Sequence, residues 1–134
     1  MTTTPDQLKP TVDRAIEEIR AQFPDSNMIL RPDDQGGAFV ILESVSLSSI
    51  YTQPDTWIGF HITFQYPYAD VYPHFVRADL SRVDGKPLGD GTSSNNFEDR
   101  QAVQLSRRSN YLDPATDTAL LKLLKVLEWL RNHH

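Results

Sequence analysis

The sequence predicts one α+β domain: an N-terminal helix, a four-stranded antiparallel meander, a long irregular segment and a C-terminal helix. Three observations predict it. Each end of the chain carries an apolar stripe at helical spacing, the middle carries alternating apolar runs, and the connections between those runs have hairpin length. Two such helices must bury their stripes against one face of the sheet. We assign residues 1–134 to a single domain, since 134 residues hold one ordinary core.

The first helix is predicted over residues 10–23. Val12, Ile16 and Ile19 recur at helical spacing, with charged residues between them. Pro24 cannot continue the helix and therefore marks its end.

The second helix is predicted to begin at Pro114. Asp113 is a good N-cap residue, and proline is favoured at the first helical position. The apolar stripe of this helix is Leu120, Leu123, Leu124, Leu127 and Leu130.

Four strands are predicted between the helices. The clearest covers residues 57–66, where aromatic and β-branched residues alternate with polar ones. The other three are expected at 28–30, at 38–50 (as one long strand or a strand with a bulge) and at 75–80. Residues 84–101 show no periodic pattern and are predicted to form an irregular, functional or mobile loop.

Composition excludes several function classes. The net charge of −5 argues against a nucleic-acid-binding protein, and no apolar run approaches the length of a membrane span. The first six residues show no secretory signal, so we expect a cytoplasmic protein. The chain has no cysteine and no histidine–carboxylate spacing typical of metal sites, so neither a metal nor a cofactor is expected.

Two segments carry motifs of one family. Tyr66-Pro67 and then Val71 to Val76 (Val-Tyr-Pro-His-Phe-Val) precede the fourth predicted strand. Gln104-Leu105 is followed by Leu112-Asp113-Pro114 and a leucine-rich helix. Over residues 10–131 this layout resembles the ubiquitin-conjugating enzymes (the UBC family), most of all their divergent bacterial relatives. In that family the motifs read Phe-Pro-x-x-Tyr-Pro-x-x-Pro-Pro and Cys-Leu followed by Trp-x-Pro.

The resemblance implies a protein of a bacterial ubiquitin-like modifier pathway. Its expected partners are the modifier, an activating enzyme that supplies it, and an amine that accepts it. Conjugating enzymes carry the modifier as a thioester on cysteine, and Gln104 stands at that position here. The family's His-Pro-Asn is also missing, so only Asn95, Asn96 or Asn110 could replace its asparagine.

The predicted active-site stretch is therefore residues 100–110. Ser106 and Ser109 are the candidate nucleophiles for an oxyester in place of the thioester, and Asn110 is a candidate oxyanion donor beside Gln104. A serine hydroxyl needs a neighbouring base, and no histidine lies nearby in the sequence. The alternative interpretation is a solvated turn that leads into the second helix.

Four residues are candidate partner contacts. Arg14 lies on the helix that contacts the activating enzyme in the family, and Tyr68 lies in a loop that serves partner contact there. Arg107 and Arg108 flank the predicted site. Solvated surfaces explain the same residues equally well.

Two histidines on the sheet are further candidates. His61 and His74 could act as general bases, but we favour half-exposed sheet histidines with local hydrogen bonds.

The sequence leaves three functions open. The leading one is a conjugating transferase that works through a serine oxyester. The alternative is a non-catalytic UBC variant that binds a modifier or serves as a scaffold. A third is an unrelated α+β interaction module.

Overall fold

The computed structural model describes residues 8–132 as two helices packed on one face of a six-stranded antiparallel sheet. The N-terminal residues from which we infer the lack of a secretory signal lie outside this range. None of the helices within it is long and apolar enough to cross a bilayer. The elements are α1 (Pro10–Gln22), β1 (Met28–Pro32), β2 (Ala38–Ser46), β3 (Asp55–Ile62), β4 (His74–Arg77), β5 (Thr92–Phe97), β6 (Arg100–Leu105) and α2 (Ala119–Arg131).

The strands lie in the order β1-β2-β3-β4-β6-β5, and every neighbouring pair is antiparallel. The first four therefore follow one another as predicted, and the expected bulge in β2 appears as a register shift between Leu42 and Val45. The prediction of an irregular segment over residues 84–101 holds for residues 84–91, which belong to no helix or strand, but was wrong for residues 92–101, where β5 and the start of β6 form a hairpin. β5 is an edge strand of exposed serine and asparagine residues, so it carries no apolar alternation to reveal it.

The main core lies between the sheet and the helices. β3 contributes Ile58, Phe60 and Ile62, all of them fully buried. Both helices close over this face. The helix α1 buries the predicted Val12, Ile16 and Ile19 together with Ala15. The helix α2 buries the predicted Leu123, Leu127 and Leu130 together with Ala119, Lys122 and Val126, whereas the predicted Leu120 and Leu124 are half-buried.

The start of α2 differs from the prediction. The helix begins at Ala119, and its N-cap is Thr118, whose hydroxyl accepts a hydrogen bond from the Leu121 N–H at 3.1 Å. Asp113 instead closes a separate turn, in which its carboxylate accepts from the Ala115 N–H at 2.9 Å. The Asp-Pro pair is thus a turn signal here, because aspartate caps turns as readily as helices.

The outer face of the sheet carries a second apolar cluster under the β5–β6 hairpin. Phe97 stacks on Phe75 with ring centroids 4.8 Å apart and lies directly over Gly59. A bidentate ion pair between Arg31 on β1 and Glu98 at the hairpin turn, with nitrogen–oxygen distances of 2.6 and 2.8 Å, ties the hairpin to the opposite edge strand. The end of this hairpin therefore covers the part of the outer face around Gly59 and Phe75.

Gly59→Ala tests this covering. A Cβ at position 59 would lie 2.5 Å from Cε2 of Phe97, so the hairpin must shift. We expect the free energy of unfolding, measured with urea, to fall by about 1–3 kcal/mol. Because Phe97 is the obstacle, Gly59→Ala combined with Phe97→Leu should cost less than the sum of the single variants. Additive losses would contradict the contact.

Candidate functional site

A pocket of about 200 Å³ lies between the loop that follows β3 and the segment that leads into α2. Tyr66, Pro67 and Val71 of the first predicted motif and Leu112 of the second line this pocket, whereas Gln104 and Leu105 do not. The first turns of α2 form the remaining wall. The polar residues that define the site are Asp70, Arg107, Arg108, Ser109 and Lys122.

Ser109, Asp70 and Lys122 form a closed hydrogen-bond network in this pocket. The Ser109 hydroxyl donates to Oδ1 of Asp70 at 2.8 Å and accepts from Nζ of Lys122 at 2.8 Å. The Ser109 backbone N–H donates to Oδ2 of Asp70 at 2.7 Å. Nζ of Lys122 also donates to both carboxylate oxygens of Asp70, at 2.9 and 3.2 Å.

The network is mostly shielded from water. The Lys122 side chain is 9% exposed and that of Asp70 is 20% exposed. Burial alone would raise the pKa of Asp70, but the hydrogen bonds from Ser109 and Lys122 outweigh it and hold that pKa below its ordinary value.

This geometry fixes the position of the Ser109 hydroxyl between Asp70 and Lys122. A nucleophilic serine needs a neighbouring base to take its proton. The carboxylate of Asp70 is a weak base because its pKa is lowered, and Lys122 is engaged in an ion pair. What the network does achieve is to fasten the segment before α2 to the loop after β3.

Gln104 and Ser106 lie apart from the pocket. Gln104 is in β6, opposite Phe75 of β4, and so belongs to the strand and not to the expected constrained loop. Its side chain accepts from the Asn95 amide at 2.6 Å and donates to the Ser106 hydroxyl at 3.1 Å. Of the residues predicted to be catalytic, only Ser109 and Asn110 line the pocket.

Of the four predicted partner contacts, two line the pocket and two do not. Arg107 and Arg108 line the pocket, with their guanidinium groups 5.0 and 4.5 Å from the ring centroids of Trp129 and Tyr72. Tyr68 is 79% exposed, and its two chain neighbours line the pocket. Arg14 is exposed on α1 and does not line it.

His61 agrees with the favoured interpretation, whereas His74 does not. His61 is half-buried, and its Nε2 lies 2.7 Å from Oδ2 of Asp33. His74 is fully buried, and neither ring nitrogen has a hydrogen-bond partner within residues 8–132. Burial, followed by the charge of Lys122, lowers the pKa of His74 to about 3. His74 is therefore neutral at ordinary pH and makes no hydrogen bond to Ser109.

Three site residues were missed from the sequence. Asp70 and Tyr111 carry no local signal, although Tyr111 is 99% exposed and has a positive φ of 58°. Lys122 could have been found, because it occupies a position on the buried stripe of α2 between Ala119 and Val126. A lysine in such a stripe requires a buried partner.

Comparisons with protein-family models, with curated proteins and with solved structures found no match to this chain.

Proposed function

We propose that this chain is a non-catalytic UBC-like variant that binds a ubiquitin-like modifier without forming a covalent bond to it. One observation carries the proposal. The two most exposed large aromatic side chains in the described range are Tyr68 and Tyr111, and the chain neighbours of both, Pro67 and Ala69 for the first and Asn110 and Leu112 for the second, line this one pocket. Aromatic residues exposed around a concave site are typical of protein-binding surfaces, where they supply much of the binding energy.

The arginines beside these tyrosines support the same function. Arg107 and Arg108 are each held over an aromatic ring, which limits the conformational entropy that they lose when a partner binds. Tyrosine and arginine are both enriched at protein interfaces. The Ser109–Asp70 hydrogen bonds hold the segment that presents Arg107, Arg108 and Tyr111. The network thus has a role in binding that needs no chemistry at Ser109.

A serine oxyester at Ser109 is the second candidate, because Nζ of Lys122 lies 2.8 Å from the hydroxyl oxygen. In that reaction the hydroxyl oxygen would add to the carbonyl carbon of a modifier thioester, and the carbon–sulfur bond would break. The serine proton would pass to Asp70 and the thiolate would leave. The lowered pKa of Asp70 makes this proton transfer unfavourable, so we place binding first.

Paired tyrosine substitutions test the binding function. Each ubiquitin-like protein of the source organism would be titrated calorimetrically against wild type and against the double variant Tyr68→Ser/Tyr111→Ser. For the one that binds wild type, we expect the double variant to weaken affinity by at least about tenfold, because interface tyrosines often contribute 1 kcal/mol or more.

Val83→Ser is the matched control. Val83 is 61% exposed but lies in the loop next to Ile50, away from the pocket. Its substitution should leave affinity unchanged. An equal loss in both variants, or no binding of any ubiquitin-like protein to wild type, would contradict the proposed function.

A further inference from the structure

The pocket beside Ser109 has an excess of positive charge in a chain whose net charge is −5. Four cations line it: Arg107, Arg108, Lys122 and Lys125. Lys122 is neutralised by its ion pair with Asp70. The other three face a single remaining carboxylate in the lining, that of Asp117.

These three cations differ from most other basic residues of the chain. Arg31, Arg77, Arg82 and Arg100 each form an ion pair with an aspartate or glutamate. Within residues 8–132, no carboxylate forms an ion pair with Arg107, Arg108 or Lys125. Asp117 is itself engaged, since its carboxylate accepts from the Asp113 N–H at 2.8 Å. Among the described residues, the positive charge of these three side chains is therefore not neutralised by an ion pair, although Arg107 and Arg108 each contact an aromatic ring.

The rest of the lining is apolar and the space is small. Val71, Leu112, Ala119 and Val126 contribute to it together with the ring of Tyr66. A volume of about 200 Å³ lies below the roughly 300–1,000 Å³ typical of drug-sized ligand sites. An occupant that satisfies both parts of the lining has one anionic group and a compact apolar body.

We propose that this pocket binds a small organic anion, with a carboxylate or phosphate group held by Arg107, Arg108 and Lys125 and an apolar body against Leu112 and Val126. Guanidinium groups bind both kinds of anion in a bidentate manner. The proposal shares Arg107 and Arg108 with the proposed modifier-binding surface but does not use Tyr68 or Tyr111, so Tyr68→Ser/Tyr111→Ser should leave the binding of the anion unchanged.

Three probes that share a phenyl body test the charge requirement. Benzoate, phenyl phosphate and the neutral benzamide would each be titrated into isotopically labelled protein, with backbone amide NMR shifts as the readout. We expect saturable shifts in residues 107–112 and 119–126 with benzoate or phenyl phosphate, and no saturation with benzamide. Which of the two anions binds more tightly then distinguishes the carboxylate from the phosphate ester.

Arg107→Gln/Arg108→Gln should weaken the binding of the anion by about tenfold or more, because two charge-assisted contacts are lost. Arg14→Gln/Arg20→Gln is the matched control, since it removes the same charge from the exposed face of α1 and should change affinity little. Equal losses in the two double variants, equal binding of benzamide, or no saturable binding of either anion would overturn the proposal. So would binding of a peptide with a free C-terminal carboxylate when neither small anion binds.

Discussion

His74→Leu is expected to remove most of the acid sensitivity of the fold between pH 6.5 and pH 3. The pKa of His74 falls from 6.5 to about 3 on folding, because burial opposes the charged imidazole. Between pH 6.5 and pH 3, His74 is therefore protonated in the unfolded chain but neutral in the native protein. The stability associated with neutral His74 is complete above pH 6.5 and is lost as the pH falls toward 3. Linkage makes this loss on the order of 4 kcal/mol.

The same substitution should not destabilise the protein at pH 7. Both ring nitrogens of His74 are buried without a hydrogen-bond partner in the described part of the chain, and such groups cost about 1–3 kcal/mol when they cannot be satisfied. Leucine has a similar volume and no polar atom. We expect urea unfolding at pH 7 to give equal or higher stability, and the difference from wild type to widen toward pH 4.5. His61→Gln, the matched histidine substitution, should retain the slope that His74 causes. A slope that persists in His74→Leu would contradict this assignment.

Lys122→Met is expected to cost about 3 kcal/mol at pH 7. The substitution leaves the largely buried carboxylate of Asp70 without its cation, and breaking a buried ion pair is strongly destabilising. Asp70→Asn should cost a similar amount, because it leaves the buried ammonium of Lys122 without its anion and removes one of the two oxygens that accept from Ser109. In the double variant the uncompensated charge is gone, so its loss should be smaller than the sum of the two single losses. Urea unfolding of the four proteins measures this coupling.

The pH dependence identifies the charge that is responsible. The pKa of Asp70 is lowered on folding, so its contribution is present above about pH 3.8 and is lost as the pH falls below that value. Asp70→Asn should remove this low-pH component. Lys125→Met is the matched control, three residues after Lys122 on the same helix. Because Lys125 is exposed, this substitution should change the free energy of unfolding by only about 0.5 kcal/mol. Equal losses from Lys122→Met and Lys125→Met would show that the Asp70 pair does not hold the pocket together.

The sequence predicts those helices and strands whose buried apolar residues repeat at regular spacing. α1 and β1 to β4 were found because their apolar residues repeat at the helical or strand period. β5 could not be found in this way, since five of its six residues are polar and it is held by the backbone of β6. The start of α2 was misplaced because Asp113-Pro114 satisfies the local rules for a helix start, while tertiary contacts begin the helix at Ala119. One such contact is the hydrogen bond from the Ala119 N–H to the Tyr66 hydroxyl at 3.0 Å.

The sequence predicts the chain segment that contains part of the site, residues 100–110, but not the residues that it contacts. Ser109 and Asn110 were named with both arginines because the motif marks that stretch of chain. The partners of Ser109 could not be named, since Asp70 is 39 positions away and Lys122 is 13 positions away. Sequence spacing does not determine contacts across a fold, and the favoured alternative for His74 was wrong for the same reason. The choice between a nucleophile and a structural serine depends on such contacts.

We expect Ser109 to hold the proposed binding surface in place without carrying an acyl group. This claim is tested by intact-mass analysis after the chain is incubated with an activating enzyme, ATP and each ubiquitin-like protein of the source organism. We predict no covalent adduct on wild type, even with the modifier that binds in calorimetry. An adduct that survives thiol reductant, is released by hydroxylamine and disappears in Ser109→Ala but persists in Ser106→Ala would contradict the claim and establish Ser109 as an ester-forming nucleophile.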